Sequence, residues 1–403
     1  MINAANKPAA PVPAAKLIVT ERGFFMQNKK LKVAVVGLGF GGAFVPIWRD
    51  HPDVACVGIT DLDDERTSKA AETFRISKIY SGLDEVLADS EVDAVHLVTC
   101  IPDHAEQTVR VLEAGKHCAC TVPMATSLAD IRRITAAVRK SGKKYMMMET
   151  TLYTYHFFYL QQLLASGGLG RIQFMRGSHY QDMENWPAYW NGLPPFWYGT
   201  HAIAPMVALS GSRIGSVSCL GSGTMAEERM RTYGNPFPVE SAHFRFDNGL
   251  AAEATRSLFE TARVYQEGLF VYGSKKSFEW GFSDGDAPYI TELSDSLPGM
   301  RGRQTPYHIA RLSNFYSDLP EELWPYTVGD GYDATNPQLS LSEGAGAGHH
   351  GSHAHLVNEF VRSILDDRRP RVDEVLAANI TAAGICAHES ALRGGEWITV
   401  PRF

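Results

Sequence analysis

The run Lys32-Val33-Ala34-Val35-Val36 leads straight into Gly37-Leu38-Gly39-Phe40-Gly41-Gly42, and few features constrain a fold so tightly. A β-branched strand, a G-x-G-x-x-G turn and a helix, expected here over Ala43–Asp50, make a unit shaped to receive a pyrophosphate. In that unit Gly37 makes the tight turn, Gly39 lets the backbone approach phosphate, and Gly42 allows close helix–strand packing. Phe40 lies inside the same turn and counts as a cofactor contact. A second buried strand, Val54–Thr60, ends at Asp61, about 20 residues beyond the turn, where a ribose-binding acid belongs. Glycine-rich turns also occur in α/β proteins that hold no nucleotide, but the flanking strands and the acid together predict a dinucleotide. Asp61 would accept both ribose hydroxyls and repel a 2′-phosphate. Leu62, Asp63 and Asp64 follow it with no adjacent Arg, and Arg66 is a weak candidate for binding a phosphate. NAD is expected over NADP.

From Leu31 to about Glu149, strand candidates alternate with helices, which predicts a parallel, doubly wound Rossmann sheet. After Thr150 the rhythm changes to a helix, Tyr155–Ser166, followed by a series of longer strands between Ile172 and Tyr272. That pattern predicts a second, α+β domain with an open, mainly antiparallel sheet. Residues 284–348 read as irregular, and two helices, His355–Leu365 and Asp373–Arg393, close the chain. The expected organisation is a flexible arm over 1–30, an NAD-binding domain over 31–150 and a substrate and oligomerisation domain over 151–403. A length of 403 residues suits two such cores. The net charge of −7 gives no basic footprint, so no nucleic-acid partner is expected. No run is read as long and apolar enough for a membrane helix, and the arm lacks the apolar core of a secretory signal. Of the six cysteines only Cys118 and Cys120 lie close together, and they are expected neither to share a metal nor to form a disulfide. Buried thiols in a cytoplasmic protein account for the set.

Together these motifs resemble the Gfo/Idh/MocA family of NAD(P)-dependent oxidoreductases. The resemblance rests on the glycine turn, Asp61, Thr99-Cys100-Ile101-Pro102-Asp103-His104, Glu113-Ala114-Gly115-Lys116-His117, Thr121-Val122-Pro123 and the closing Glu389-Ser390-Ala391 helix. It implies a substrate site over the nicotinamide, a sugar-like small-molecule substrate and a homodimer or homotetramer built through the sheet. It also adds Thr99, Pro102, His104, Val122, Pro123 and Glu149 to the cofactor-binding set. Dehydrogenases of this family usually carry Glu-Lys-Pro where this chain has Thr121-Val122-Pro123, and their lysine helps move the proton of the reacting hydroxyl. Val122 cannot titrate. They also tend to show Asp-x-x-x-His where this chain has Trp197-Tyr198-Gly199-Thr200-His201. The branch resembling glycoside hydrolase family 109 lacks that lysine too. Its Val-Pro-Ala, Met-Met-x-Glu-Asn, Tyr-x-Thr-His-Gly-x-Gly-Pro and Gly-His-Gly-Gly segments are similar to Val122-Pro123-Met124, Met147–Thr150, Tyr198–Pro205 and Gly348–His353. Thr150, Ala202 and Ala204 depart from that pattern.

The resemblance implies a glycosidase that oxidises sugar C3, eliminates the aglycone, adds water and reduces C3 again. A dehydrogenase releasing NADH is the runner-up, and an NAD-bound regulatory protein without turnover is a third reading. His201 is the first candidate for acid/base work, because an imidazole titrates near neutrality. Glu149, at the carboxyl edge of the sheet, reads as a sugar or nicotinamide-ribose ligand, or equally as a helix cap or ion-pair partner. Tyr153 faces the same cleft or the core. His179 and Asp182 close a strand of the second sheet and are candidate substrate contacts. Trp197 and Tyr198 belong to an aromatic segment fit for a pyranose face, or for a packed loop or subunit contact. His349, His350 and His353 are expected to form a polar loop over the sugar rather than a metal site.

Overall fold

The computed structural model describes residues 30–403 apart from 284–285, 311, 313–314 and 328–347, so the expected arm lies almost wholly outside it. Strands β1 (Leu31–Val36), β2 (Val54–Thr60), β3 (Lys78–Ile79), β4 (Ala94–Leu97), β5 (His117–Thr121) and β6 (Tyr145–Met148) form one sheet. Its order is β3-β2-β1-β4-β5-β6, and every pairing is parallel. Strands β4 and β6 are buried along their whole length, as expected where helices cover both faces. The helices are delimited by local chemistry. Ser127 caps Leu128–Ser141 through the Asp130 N–H, and Gly142, at φ 66°, ends it; such a cap contributes about 1 kcal/mol. The order reverses between β1 and β4, and ligands of doubly wound sheets bind at the carboxyl ends beside that reversal.

The glycine turn sits there, with two differences from expectation. The α-helix begins at Val45, with Pro46 in its first turn, because Gly41–Ala43 forms a 3-10 turn instead. Close packing falls to Gly41, whose missing Cβ would meet the Val98 Cβ at 3.1 Å, whereas beside Gly42 the nearest atom, on Phe74, is 4.0 Å away. Cys118 and Cys120, two residues apart on β5 and so on one face, are buried free thiols.

The second sheet holds β7 (Ile172–Tyr180), β8 (Ile214–Ser222), β9 (Val239–Phe246), β10 (Ala251–Ser257), β11 (Gln266–Gly273), β12 (Lys276–Glu279), β13 (Tyr289–Glu292), β14 (Tyr307–Ile309) and β15 (Ile398–Thr399). Their order is β14-β13-β12-β11-β7-β10-β9-β8-β15. Only β7 and β10 pair in parallel among these neighbours. Strand β9 alternates buried and exposed residues strictly, so one face is covered and the other is open. The stretch expected to be irregular supplies β13, β14 and a 3-10 helix, Glu321–Thr327; the strands are short and their alternation weak.

Helix Thr200–Ser210 lies directly on β7, and Gly177 permits it: a Cβ there would stand 2.2 Å from the Ala202 carbonyl oxygen. The closing helix, Glu374–Leu392, packs on β8, on Thr200–Ser210 and on Leu128–Ser141, touching elements of both sheets. Contrary to the expectation from sequence, it is long and apolar enough to cross a membrane, yet 72% of its apolar window is buried inside the protein. It is a core helix.

Candidate active site

The cofactor half is built from consecutive sequence. Gly37, at φ 89°, turns the chain so tightly that a Cβ would stand 2.2 Å from the Val98 carbonyl oxygen, while nothing lies within 4 Å of a Cβ at Gly39. That open space is what a phosphate needs. Asp61 accepts the Leu38 N–H at 2.6 Å, the Asp63 N–H at 2.9 Å and Arg66 at 3.0 Å, so the acid is held against the turn. These residues fit a dinucleotide. Phe40 is 45% exposed at the turn, and its ring meets the edges of His349 and His353, centroids 6.0 and 5.4 Å away. Pro102 is exposed on the loop after β4, where a cofactor contact is available. Thr99 spends its hydroxyl on Gln107.

His104 is a correction. It is fully buried, and its ring nitrogens face the Pro123 carbonyl at 2.8 Å and the Thr99 carbonyl at 3.2 Å. Burial pulls its pKa down, but Cys120 and the two carbonyls push it up further, to about 9. A ring that donates to two carbonyls is a brace between loops. It positions Val122 and Pro123, both buried, rather than touching a ligand.

Glu149 ends β6 with its carboxylate completely buried. Its Oε1 accepts the Thr151 N–H at 3.1 Å, which caps the 3-10 turn Thr150–Tyr153, and lies 2.6 Å from His201 Nδ1. Glu149 is therefore both a cap and an ion-pair partner. Burial raises its pKa, but the charge and hydrogen bond of His201, with Thr151, outweigh that and hold it below the ordinary value. A carboxylate only accepts, so Nδ1 of His201 carries a proton, and in the neutral ring Nε2 offers a lone pair. The Tyr198 hydroxyl donates to that Nε2 at 3.3 Å. A tyrosine–histidine–carboxylate chain results.

Beside it the second sheet contributes a row of polar residues. Register places Arg256 of β10 and Glu267 of β11 on either side of His179 in β7. All three are buried. Glu267 Oε1 lies 3.8 Å from His179 Nε2, 4.0 Å from His201 Nε2 and 3.1 Å from His349 Nδ1. Burial would raise the Glu267 carboxyl, yet His349, His201 and His179 together hold it well below its usual range. His179 is likewise pushed well below its usual range, by burial and then by the Arg256 charge, which favours the neutral ring. Arg256 donates to the carbonyls of Tyr198, His179 and Ser257 and to Gln181, fixing the floor of the pocket. Burial lowers its own pKa to about 10.

Of the residues expected here, His201, Glu149, His179, Tyr198 and His349 come together. Five others do not. Tyr153 is a core residue, its ring 6.4 Å from that of Phe158 and beneath Arg371. Asp182 accepts the Glu184 N–H at 3.0 Å and closes a turn. Trp197 packs on Tyr233 and His388, both at 5.8 Å. His350 joins Tyr155, at 3.2 Å, and stands edge-on to His156 and Trp280. His353 lies across Phe44, centroids 4.3 Å apart. His350 points away from His349 and His353, whose rings stay 5.8 Å apart, within a stretch where His349, His350 and Gly351 all take left-handed backbone angles. Glu267 and Arg256 were missed. Their signal is the pairing of a carboxylate and a guanidinium with His179 on neighbouring strands, readable only once the register is known.

Residues 31–149 match the family described as oxidoreductase, NAD-binding Rossmann fold, Gfo/Idh/MocA. The N-terminal domain belongs to that family. It binds NAD. A glycosyl hydrolase family 109 protein of Phocaeicola vulgatus is 27% identical over 198 residues, which are 44% of this chain and 42% of that protein. The chain thus aligns with less than half the length of that relative and of its counterpart in Bacteroides thetaiotaomicron, 26% identical over 194 residues. A 1-carboxy-3-chloro-3,4-dihydroxycyclohexa-1,5-diene dehydrogenase of Comamonas testosteroni is 25% identical over 67% of this chain and 64% of its own. Among solved structures, levoglucosan dehydrogenase in complex with NADH and L-sorbose superposes with a TM-score of 0.74 at 20% identity, covering 93% of this chain and all of that one. This last likeness shows that the two chains share one fold across both sheets.

Proposed function

We propose that the chain is an NAD-dependent glycoside hydrolase that oxidises its sugar transiently. The observation that carries this reading is the pairing of a buried valine, Val122, with the Tyr198–His201–Glu149 chain. In the family's dehydrogenases a lysine moves the hydroxyl proton; here the groups able to do so are Tyr198, His201 and Glu149. Bound NAD+ supplies a hydride acceptor that can also return the hydride. The side chains of this protein handle the protons. His201 Nε2, its tautomer fixed by Glu149, accepts a proton directly or through the Tyr198 hydroxyl, and gives it back when the leaving group departs. Once C3 of the sugar is a ketone, the C2–H is acidic enough for a base of that strength. Arg256 and Glu267 hold the surrounding charge fixed, so little reorganisation accompanies the transfer. The family 109 relatives support this reading; the dehydrogenase of Comamonas testosteroni supports a second one, an enzyme that releases NADH.

The two separate in one assay. Full-length protein with NAD+ is given a panel of α- and β-glycosides, free sugars and cyclitols. The glycosidase reading expects aglycone release without accumulation of NADH, and deuterium at C2 of the product in D2O. Stoichiometric NADH from a free sugar would overturn it in favour of the dehydrogenase.

A further inference from the structure

The pocket around His201 holds a constellation that proton transfer does not use up. His179 is 1% exposed, and neither of its ring nitrogens has a hydrogen-bond partner among the described residues. Leaving two buried polar atoms unmet costs on the order of 1–3 kcal/mol each, so a sequence that keeps them there has a use for them. Nε2 faces a compact group. One ligand-type atom each from His179, His201 and Glu267 lie within 4.8 Å of one another, all three residues being buried. The separations of 3.8 Å for His179–Glu267 and 4.0 Å for His201–Glu267 are close to the edge of roughly 3.4 Å that bonds of about 2.1 Å to a tetrahedral centre require. The third edge, His179–His201, lies within 4.8 Å, and the side chains must draw together to bind an ion. The outer contacts match as well. Metal-binding imidazoles usually donate their other ring N–H to a carboxylate, which fixes the tautomer and aims the lone pair at the ion. Glu149 does this for His201 at 2.6 Å.

We propose that His179, His201 and Glu267 bind one divalent transition-metal ion, with zinc the reference ion, and leave a fourth position open to the substrate. Two imidazoles and one carboxylate are the donor set of a catalytic rather than a structural zinc, whose sites are closed. The proposal rests on the reading that this pocket receives a sugar hydroxyl, and it explains how the pocket works without a lysine. A sugar hydroxyl in the open position donates a lone pair to the ion, which lowers its pKa; the O–H electrons stay on oxygen and the proton passes to water. Hydride then passes from C3 to bound NAD+, the ion would polarise the ketone oxygen so formed, and, with His201 occupied as a ligand, the C2 proton would pass to water. In the metal-bound state His201 is a ligand, and Tyr198 is left to meet the substrate. The spacing of His349, His350 and His353, the one hint of metal binding in the sequence, is not this set.

The test measures binding, not turnover. Full-length protein is stripped with dipicolinate, dialysed and titrated with Co2+ and Zn2+ in the absence of any sugar. One ion per chain is expected, bound tighter than about 1 µM, with the visible d–d bands of a four-coordinate cobalt centre. His179→Ala and Glu267→Gln should each weaken binding by about 100-fold, and Glu149→Gln by about tenfold. NAD+ affinity should stay within about threefold in all of them. If His179→Ala fails to fold by circular dichroism, His179→Asn and Glu267→Gln decide. Absence of the cobalt bands, or stoichiometric binding that survives both substitutions, overturns the proposal. A chain that binds the ion but releases no aglycone keeps the site and loses the glycosidase reading. Full turnover after stripping overturns the ion's role in catalysis and leaves the glycosidase reading intact.

Discussion

The nucleotide pocket and the histidine pocket meet at the carboxyl ends of the same parallel strands, yet they are assembled in opposite ways. The first is local: one turn, Gly37–Gly42, and one acid, Asp61, which is hydrogen-bonded to that turn. The second draws single residues from five separated segments, Glu149, His179, Tyr198 with His201, Glu267 and His349. Their histidines differ accordingly. His104, clamped by two carbonyls, is pushed up to about 9, while His179, beside Arg256, is pushed down. A pocket made by backbone tolerates change in its side chains; one made by converging side chains depends on each of them.

The sharpest way to break this comparison is Glu149→Gln. An amide can pair with His201 in the wrong tautomer, so turnover is expected to fall by about 10³-fold while NAD+ affinity barely changes, read from initial rates and fluorescence titration. Equal losses in both would show that the two pockets are not separable.

The next effect is on stability. His104 has a folded-state pKa of about 9, above the 6.5 of an unfolded chain. Its contribution is therefore fully present below pH 6.5 and is lost as pH rises through 9. Relative to His104→Gln, the wild type should lose up to about 3 kcal/mol of unfolding free energy across that window, measured by urea denaturation at stepped pH. A flat difference between the two proteins would mean that the ring is neutral and only one carbonyl is bonded.

The smallest effect is the most selective. Gly39→Ala adds a methyl where the free protein has space, so its melting temperature should match wild type, but NAD+ should bind about tenfold more weakly, near 1.4 kcal/mol. Unchanged affinity would place the pyrophosphate elsewhere.

The same division governs what could be read from the sequence. The Rossmann strands were legible because β-branched runs and glycine punctuation are local signals, and the bounds of β2 agree with the expected Val54–Thr60. His201 and Glu149 were legible through family motifs. Glu267 and Arg256 were not, since their meaning lies in a register that sets them on either side of His179, and register is a property of paired strands. Tyr153 and Trp197 were misplaced for a related reason: a short 3-10 turn rotates each away from its neighbour in sequence, and no periodicity announces such a turn.

The contact between Glu149 and His201 bridges a strand end of one sheet and a helix laid on the other. It works as an alignment gauge. Slippage of one half against the other by the width of a hydrogen bond would separate His201 from Glu149, so under the proposed function turnover would require the two halves to be in register. Helix Glu374–Leu392, which grips elements of both, is the part that keeps that gauge true, far from any reacting atom.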